Sequence, residues 1–208
     1  VLDIDCYDAR IKKMLKFIQE YNLPLLPFRS KSGGIHAYLF FAKAISARSA
    51  RELLSDISFY FCLEDIYGKG KVEIFPKQDS IKEGGFGSCI TLPYFNCEEP
   101  YTYLMDSDGN KVEFKEALDY IQKHITTLEN VKETLENLPF SDAPPCLQRQ
   151  IITEQIGEEN SGRNNFIFSF AVYEKKKYGN GFEHYVKEIN DRFEVPLTDA
   201  DIDMICNS

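Results

Sequence analysis

The chain has 208 residues, of which 43% are hydrophobic and 27% charged, the composition of an ordinary water-soluble globular protein. Its net charge of −9 argues against a protein that coats nucleic acid through bulk electrostatics, although a local basic groove remains compatible with it. No apolar run approaches the roughly 20 residues of a membrane span, and no signal peptide is evident. We therefore expect a cytoplasmic protein with reduced cysteines. Because the chain starts at Val1, we expect it to be a segment that lacks its N-terminal portion.

The first 140 residues alternate between strand and helix patterns. Asp8 and Ser46 are the predicted N-caps of two helices, and Thr126 with Glu129 predicts a capping box before another. Residues 106–110 predict a hairpin turn. The patterns predict strands over 1–5, 23–28, 35–41, 71–75 and 89–93, and helices over 8–20, from Ser46 to the break at 67–70, and from Lys115 onward.

The last third of the chain predicts helices alone. Residues 142–146 contain two prolines and are the best linker candidate, since proline stops a helix. Thr198 and Asp201 form a further helix-start signature. Helices are predicted over about 147–156, 163–177, 181–192 and 198–206. We therefore expect an α+β domain over 1–140 and a small all-helical domain over 141–208.

Three carboxylates have the spacing of a metal site. Asp3 and Asp5 are two residues apart at the end of a predicted strand, so their side chains point to the same face. Glu73 lies between Val72 and Ile74 in another strand, facing away from the side that they bury. Such oxygen ligands suit Mg²⁺ or Mn²⁺, and three of them can hold two ions. Taken alone, D-x-D is more typical of a solvated strand end than of a metal site, and Glu73 is equally typical of an exposed glutamate on a half-solvated strand.

A second group of residues suits a phosphate. Ser32, Gly33 and Gly34 form a turn whose backbone N–H groups we expect to be free to approach an anion. His36 follows and can donate a hydrogen bond whether neutral or charged. Positive charge is added by Arg29 and Lys31 and, from the third segment, by Lys77. The turn is not a Walker loop, because the chain contains no G-x-x-x-x-G-K-[ST] sequence.

In this order the pieces resemble the archaeo-eukaryotic primase superfamily, whose pattern is D-x-D, then S-x-H, then a third acidic residue on an RRM-like sheet. Gly34 stands at the serine of S-x-H, with Ser32 two residues earlier. The segments 72–78, 85–88 and 92–94 resemble primases of conflict systems, phages, plasmids and CRISPR-associated loci. The segments 144–146 and 162–166 resemble the helical primase C-terminal domain that often follows.

The resemblance implies an α+β core with an RRM-like antiparallel or mixed sheet and the activity of a template-directed primase-polymerase. Two Mg²⁺ or Mn²⁺ ions would bind the catalytic carboxylates, and Arg163 would contact DNA. Expected partners are single-stranded template or primer, nucleoside triphosphates, and helicase or nuclease proteins of the same prokaryotic, phage or plasmid locus. The resemblance assigns the carboxylates Asp3, Asp5 and Glu73 to catalysis and metal binding, and Arg29, Lys31, Ser32, Gly33, Gly34, His36 and Lys77 to nucleotide binding.

Two other functions remain open from the residues alone. A metal-dependent nuclease would use the same carboxylates. An RRM-like module that binds nucleic acid without catalysis would normally show a basic face with aromatic residues on its central strands. The acidic balance and the intact carboxylates argue against the binding module. The sequence does not distinguish ribonucleotides from deoxynucleotides.

Overall fold

The computed structural model describes residues 1–6, 9–95, 100–153, 160–193 and 195–208. These residues form two compact units, Val1–Ser141 and Asp142–Ser208. The predicted domain boundary after residue 140 differs from this division by one residue. The first unit combines a sheet with helices and the second contains helices, as expected for an α+β core with a helical domain.

The sheet of the first unit consists of β1 Leu2–Ile4, β2 Leu26–Arg29, β3 Ile35–Tyr38 and β4 Val72–Ile74. Strand β1 lies in the interior of the sheet although it comes first in the chain. Within the described residues the strand order is β2-β3-β1-β4, and every neighbouring pair is antiparallel. This order places the predicted D-x-D strand between the strands that carry His36 and Glu73.

The described helices of the first unit are α1 Ala9–Glu20, α2 Ala47–Tyr60, α3 Leu63–Tyr67, α4 Phe114–Lys123 and α5 Leu128–Glu136. The side chain of Ser46 accepts a hydrogen bond from the Ser49 N–H, confirming the predicted N-cap of α2. Asp8, the predicted N-cap of α1, lies outside the described residues. Helix α2 packs against β4 and α5.

Both faces of the sheet contribute to cores, and alternation along the strands decides which residues go where. One face carries Leu2 and Ile4 of β1, both fully buried. The opposite face carries Leu26, Phe28 and Tyr38, which pack with Tyr94, Leu104 and Ala117. Asp3 lies between Leu2 and Ile4, so it belongs to the second face, at the margin of this aromatic cluster.

Two predicted local features of the first unit are wrong. Residues 89–93 form no strand, because carbonyl groups there accept side-chain donors: Tyr38 Oη donates to Thr91 and Thr102 Oγ1 to Leu92. The helix N-cap is Thr127 and not Thr126, and the Thr127 side chain accepts from the Asn130 N–H. The backbone of Thr126 instead pairs with the chain just beyond β3, donating to the Phe40 carbonyl.

The second unit consists of α6 Pro145–Thr153, α7 Asn160–Tyr178, α8 Glu183–Asn190 and α9 Asp199–Asn207. The predicted linker over 142–146 is too long, because Pro145 is the first residue of α6, where a missing N–H costs nothing. The helix-start signature is confirmed: Thr198 and Asp201 form both hydrogen bonds of a capping box. In the described part of the chain, no helix has the length and apolar character needed to cross a bilayer.

Candidate active site

A polar row crosses three adjacent strands of the sheet. Asp3 of β1 lies directly opposite His36 of β3 on one side and directly opposite Glu73 of β4 on the other. Residues that face each other in antiparallel strands project from the same side of the sheet. His36, Asp3 and Glu73 therefore form one row on one face, called here the polar row, with Asp3 at its centre.

The ladder geometry explains why Asp3 contacts His36. Val1 exchanges backbone hydrogen bonds with Phe75, and the Asp5 N–H donates to the Lys71 carbonyl. Alternation then makes Asp3 and Glu73 a hydrogen-bonded pair, and Asp3 and His36 the non-hydrogen-bonded kind, whose side chains come closer. The His36 Nε2 and Asp3 Oδ1 atoms are 3.3 Å apart, and the His36 side chain is only 9% exposed.

Glu73 has a different cationic partner. Its Oε2 atom lies 2.9 Å from Nζ of Lys77, and both side chains are about half exposed, at 49% and 45%. The Lys77 ammonium also lies 5.0 Å from the centre of the Phe75 ring. The row thus ends at the edge strand in an open ion pair that solvent and small ligands can reach.

Asp5 lies just beyond β1. It is exposed, and its parity along the chain is the same as that of Asp3. The chain turns at Asp5 itself, since the Cys6 N–H donates to the Ile4 carbonyl and closes a three-residue turn. Asp5 is therefore an exposed residue at the end of β1, and its N–H still donates to the Lys71 carbonyl beside β4.

The turn between β2 and β3 is closed by Ser30, a residue that the sequence did not single out. Ser30 is 3% exposed, and its Oγ accepts from the Gly34 N–H at 2.9 Å. The Gly33 N–H donates to the Ser30 carbonyl, and Ser32 Oγ lies 3.1 Å from Ser30 Oγ. The prediction that the Gly33 and Gly34 N–H groups are free for an anion is therefore wrong, because both close the turn.

The structure also explains why a glycine stands at position 34. A Cβ atom there would lie 2.4 Å from the carbonyl oxygen of Ile4, a backbone atom that cannot move aside. Strand β1 thus passes too close to the hairpin for any side chain at this position. The family pattern has serine at this position, but in this chain the side chain of a serine would overlap the Ile4 carbonyl oxygen.

Two predicted phosphate ligands do not join the polar row. Arg29 lies opposite Ile35 and so projects from the other face of the sheet, where it lines a cavity of about 400 Å³ with Lys12 and Met105. Lys31 is exposed at the tip of the hairpin. The structure therefore brings together Asp3, His36, Glu73 and Lys77, with Asp5 at the margin, and separates Arg29 from them.

Arg163 lies in the second unit, on helix α7. Its Nη1 donates to the carbonyl oxygen of Val195. This contact ties the helix to the loop before α9, which is a structural use of the guanidinium. The role of Arg163 in DNA binding stays a prediction.

Tyr38 is a neighbour of the polar row that the sequence analysis missed. Its ring centre lies 6.2 Å from that of His36, and its hydroxyl donates to the Thr91 carbonyl at 3.3 Å. Burial, with a smaller effect from the Asp3 charge, raises the pKa of Tyr38 to about 12. The sequence could have identified Tyr38 by its position two residues after His36 on the same strand, because such residues project from the same face.

The donor set suits a hard divalent cation, but the ligands are not gathered around one point. Asp3 and Glu73 offer carboxylate oxygens on adjacent strands of one face, the chemistry that Mg²⁺ and Mn²⁺ prefer. Among the described residues, no three acidic, histidine or cysteine side chains converge as a metal cluster. The carboxylates instead contact His36 and Lys77, which supply positive or hydrogen-bonding groups in place of a cation.

An antiparallel sheet with this row of aspartate, histidine and glutamate is the arrangement expected of the archaeo-eukaryotic primase superfamily. Residues 1–136 match the family model of the archaeo-eukaryotic primase domain of the TOTE conflict system, and the chain belongs to this family. This match confirms the resemblance drawn from the motifs of the first unit, whereas the resemblance of segments 144–146 and 162–166 to a helical primase C-terminal domain stays a prediction. No curated protein and no solved structure gives a significant match to the chain.

Proposed function

We propose that the first unit is the catalytic core of a template-directed primase-polymerase. It would transfer a nucleotide from a ribo- or deoxynucleoside triphosphate to a 3′-hydroxyl with release of pyrophosphate. One observation carries the proposal: Asp3 lies directly between His36 and Glu73 on three adjacent strands. The row would combine carboxylate oxygens suited to a metal ion with an imidazole suited to a phosphate on one face of the sheet, where Asp3 and Glu73 are partly exposed.

Asp3, Asp5 and Glu73 would hold two Mg²⁺ or Mn²⁺ ions. When bound, such ions make the 3′-hydroxyl a better nucleophile and neutralise the charge that develops on the leaving pyrophosphate. The carboxylates are partly solvated: the Asp3 side chain is 25% exposed and that of Glu73 is 49% exposed. A ligand from solvent can therefore reach both of them without unfolding the sheet.

His36 and Lys77 would bind the triphosphate. His36 contacts the Asp3 carboxylate and Lys77 contacts the Glu73 carboxylate, and these are the carboxylates that a cation would bind. Once a cation holds those carboxylates, the imidazole and the ammonium are available to donate to phosphate oxygens. This exchange of partners keeps the local charge nearly balanced, which lowers the cost of bringing a polyanion to an acidic protein.

The other predicted phosphate ligands lie in and beside the turn between β2 and β3. Lys31 and Ser32 at the hairpin tip would approach the triphosphate from the side of β3, whereas Arg29 would need to reach round the sheet edge. Single-stranded template and primer would lie along the face of the polar row. Helicase or nuclease proteins of the same mobile-element, conflict or CRISPR-associated locus would act with this unit in the cytoplasm of a prokaryotic host.

The test is primer extension on a single-stranded template, with and without a primer. Each nucleotide set is supplied with Mg²⁺ or Mn²⁺. Wild type is compared with Asp3→Asn and Glu73→Gln, and with Asp119→Asn as a matched control on the exposed surface of α4. We expect each of the first two variants to lose about 100-fold or more of the extension rate. The control is expected to keep it, and circular dichroism checks that all variants fold.

Other outcomes identify other functions. A nuclease shortens the labelled strand with or without nucleotides, and Asp3→Asn abolishes that cleavage. A non-catalytic module binds the strand but neither extends nor shortens it. Extension by Asp3→Asn at the wild-type rate would overturn the assignment of the polar row.

A further inference from the structure

The loop over residues 78–88, called here the Phe86 loop, displays an aromatic ring almost entirely to solvent. The Phe86 side chain is 95% exposed, the highest value of any large hydrophobic residue in the described part of the chain. Nearby on the chain, Ile81, Leu92 and Phe95 are 56%, 69% and 70% exposed. Several exposed apolar residues in one short segment are unfavourable in water, and such surfaces mark interaction sites.

The Phe86 loop is braced from within. Ile81 lies beneath the tip, with its methyl groups 3.3 Å and 3.1 Å from where Cβ atoms of residues 85 and 87 would be. The Gly85 N–H donates to the Lys82 carbonyl at 2.8 Å, and Ser88 Oγ donates to Gln78 Oε1 at 3.0 Å. Glycine on both sides of Phe86 lets Ile81 pack against the backbone, and the phenyl ring is left pointing outwards.

Both ends of the segment that contains this loop are tied to the face of the polar row. At its start, Gln78 follows Lys77, whose ammonium contacts Glu73 at 2.9 Å. At its end, the Thr91 carbonyl accepts from Tyr38, which lies beside His36 on the same face. A loop anchored at these two places borders the side of the sheet on which the proposed chemistry occurs.

The base of the Phe86 loop has a local excess of positive charge. Arg48 and Arg51, one helical turn apart on α2, both contact Asp79, at 3.3 Å and 2.8 Å. Two guanidinium groups thus share one carboxylate, while Lys82 and Glu83 cancel each other within the loop. An exposed aromatic ring on a loop whose base carries cationic groups is a combination that suits single-stranded nucleic acid, because bases stack on rings and phosphates pair with cations.

We propose that Phe86 is a stacking platform for a base of the single-stranded template, with Arg48 and Arg51 near the strand's phosphates. The inference rests on the proposed function in one respect: a polymerase must hold a template strand beside its polar row. The bracing by Ile81 holds the backbone on both sides of Phe86 before the strand arrives, so less backbone entropy is lost when a base stacks on the ring.

The experiment measures the fluorescence anisotropy of a labelled oligo(dT) strand about 20 nucleotides long. Metal ions and nucleoside triphosphates are left out, so that strand binding is separated from catalysis. We expect Phe86→Ala to weaken binding about tenfold, the effect of losing one stacked base. Phe86→Trp, which keeps an aromatic face, is expected to bind as the wild type does. The matched control is Phe59→Ala, which removes another exposed phenyl ring, 61% exposed, from helix α2.

A second probe tests the stacking itself. An oligonucleotide of the same length made only of abasic sites keeps the phosphates and offers no base. We expect the wild type and Phe86→Ala to bind this strand equally. A similar loss on both strands, wild-type binding of oligo(dT) by Phe86→Ala, or no strand binding by the wild type would overturn the inference. Phe86-dependent binding in a protein that never extends a primer would instead refute the proposed function and leave Phe86 as a stacking platform for single-stranded DNA that is not a template.

Discussion

Asp3 and His36 meet across the centre of the sheet, with Oδ1 and Nε2 3.3 Å apart and the imidazole almost buried. The contact joins a residue assigned to metal binding to one assigned to phosphate binding. Because their strands are hydrogen-bonded neighbours, the distance between their backbones is fixed by the sheet and not by side-chain choice. The two roles are therefore built into one rigid element, and changes at the two residues should affect different kinetic constants.

We expect His36→Gln to raise the KM for the nucleotide about tenfold or more, with a smaller effect on kcat, because a lost hydrogen bond to a charged phosphate weakens binding. Asp3→Asn should instead lower kcat. Steady-state extension kinetics over a range of nucleotide concentrations separate the two constants. A fall in kcat at unchanged KM for His36→Gln would assign the imidazole to the chemical step.

Gly34→Ala should destabilise the first unit by about 3 kcal/mol or more, because the new Cβ would overlap the Ile4 carbonyl oxygen at 2.4 Å. The control is Gly70→Ala, where nothing lies within 4 Å and only the positive φ of +74° opposes a side chain. That strain is worth about 1–2 kcal/mol. Urea denaturation measures both losses. Equal losses would contradict the close approach of β1 to the hairpin.

Lys77→Met should leave the free energy of unfolding within about 0.5 kcal/mol of wild type, because the pair with Glu73 is half exposed and such pairs contribute little. If Lys77 binds the triphosphate, the same change raises the nucleotide KM. Lys111→Met is the matched control, since it breaks a comparable surface pair with Glu113 at 3.2 Å. A variant of Lys77 that loses stability but keeps its KM would show that the lysine serves the fold alone.

Tyr38 should make the stability of the first unit depend on pH in the alkaline range. An unfolded tyrosine releases its proton near pH 10, whereas burial, followed by the Asp3 charge, raises the pKa of Tyr38 in the folded state to about 12. This contribution is complete below pH 10 and is lost as the pH rises to 12, because only the unfolded state ionises there. Tyr38→Phe should therefore lose stability less steeply between pH 9 and pH 11.

Urea midpoints at the two pH values measure this difference. Buried Cys6, whose pKa is raised to about 11 mainly by burial, also titrates in this range, but it is present in both proteins and cancels. Tyr101→Phe, at a ring 67% exposed, is the control and should follow the wild type. Identical pH dependence of wild type and Tyr38→Phe would contradict the raised pKa.

Local sequence signals were reliable where one interaction decides the structure. Ser46 and Thr198 cap helices as predicted, because a side-chain oxygen that meets a free N–H group needs no distant partner. The errors occurred where distant groups compete. Thr126 does not cap the helix, because its backbone N–H donates to the Phe40 carbonyl. The Thr91 carbonyl accepts a hydrogen bond from the Tyr38 hydroxyl and not from a neighbouring strand.

The sequence by itself determined the parity of Asp3 and Asp5, the order of the motifs and membership of the family, because strand alternation and motif spacing are local properties. Only the tertiary structure decided that β1 lies between β3 and β4, which makes Asp3 the centre of the row. It also decided that Arg29 projects from the opposite face and that Gly34 must lack a side chain. These outcomes depend on strand order, register and close backbone approach, which arise from contacts between segments far apart in the chain.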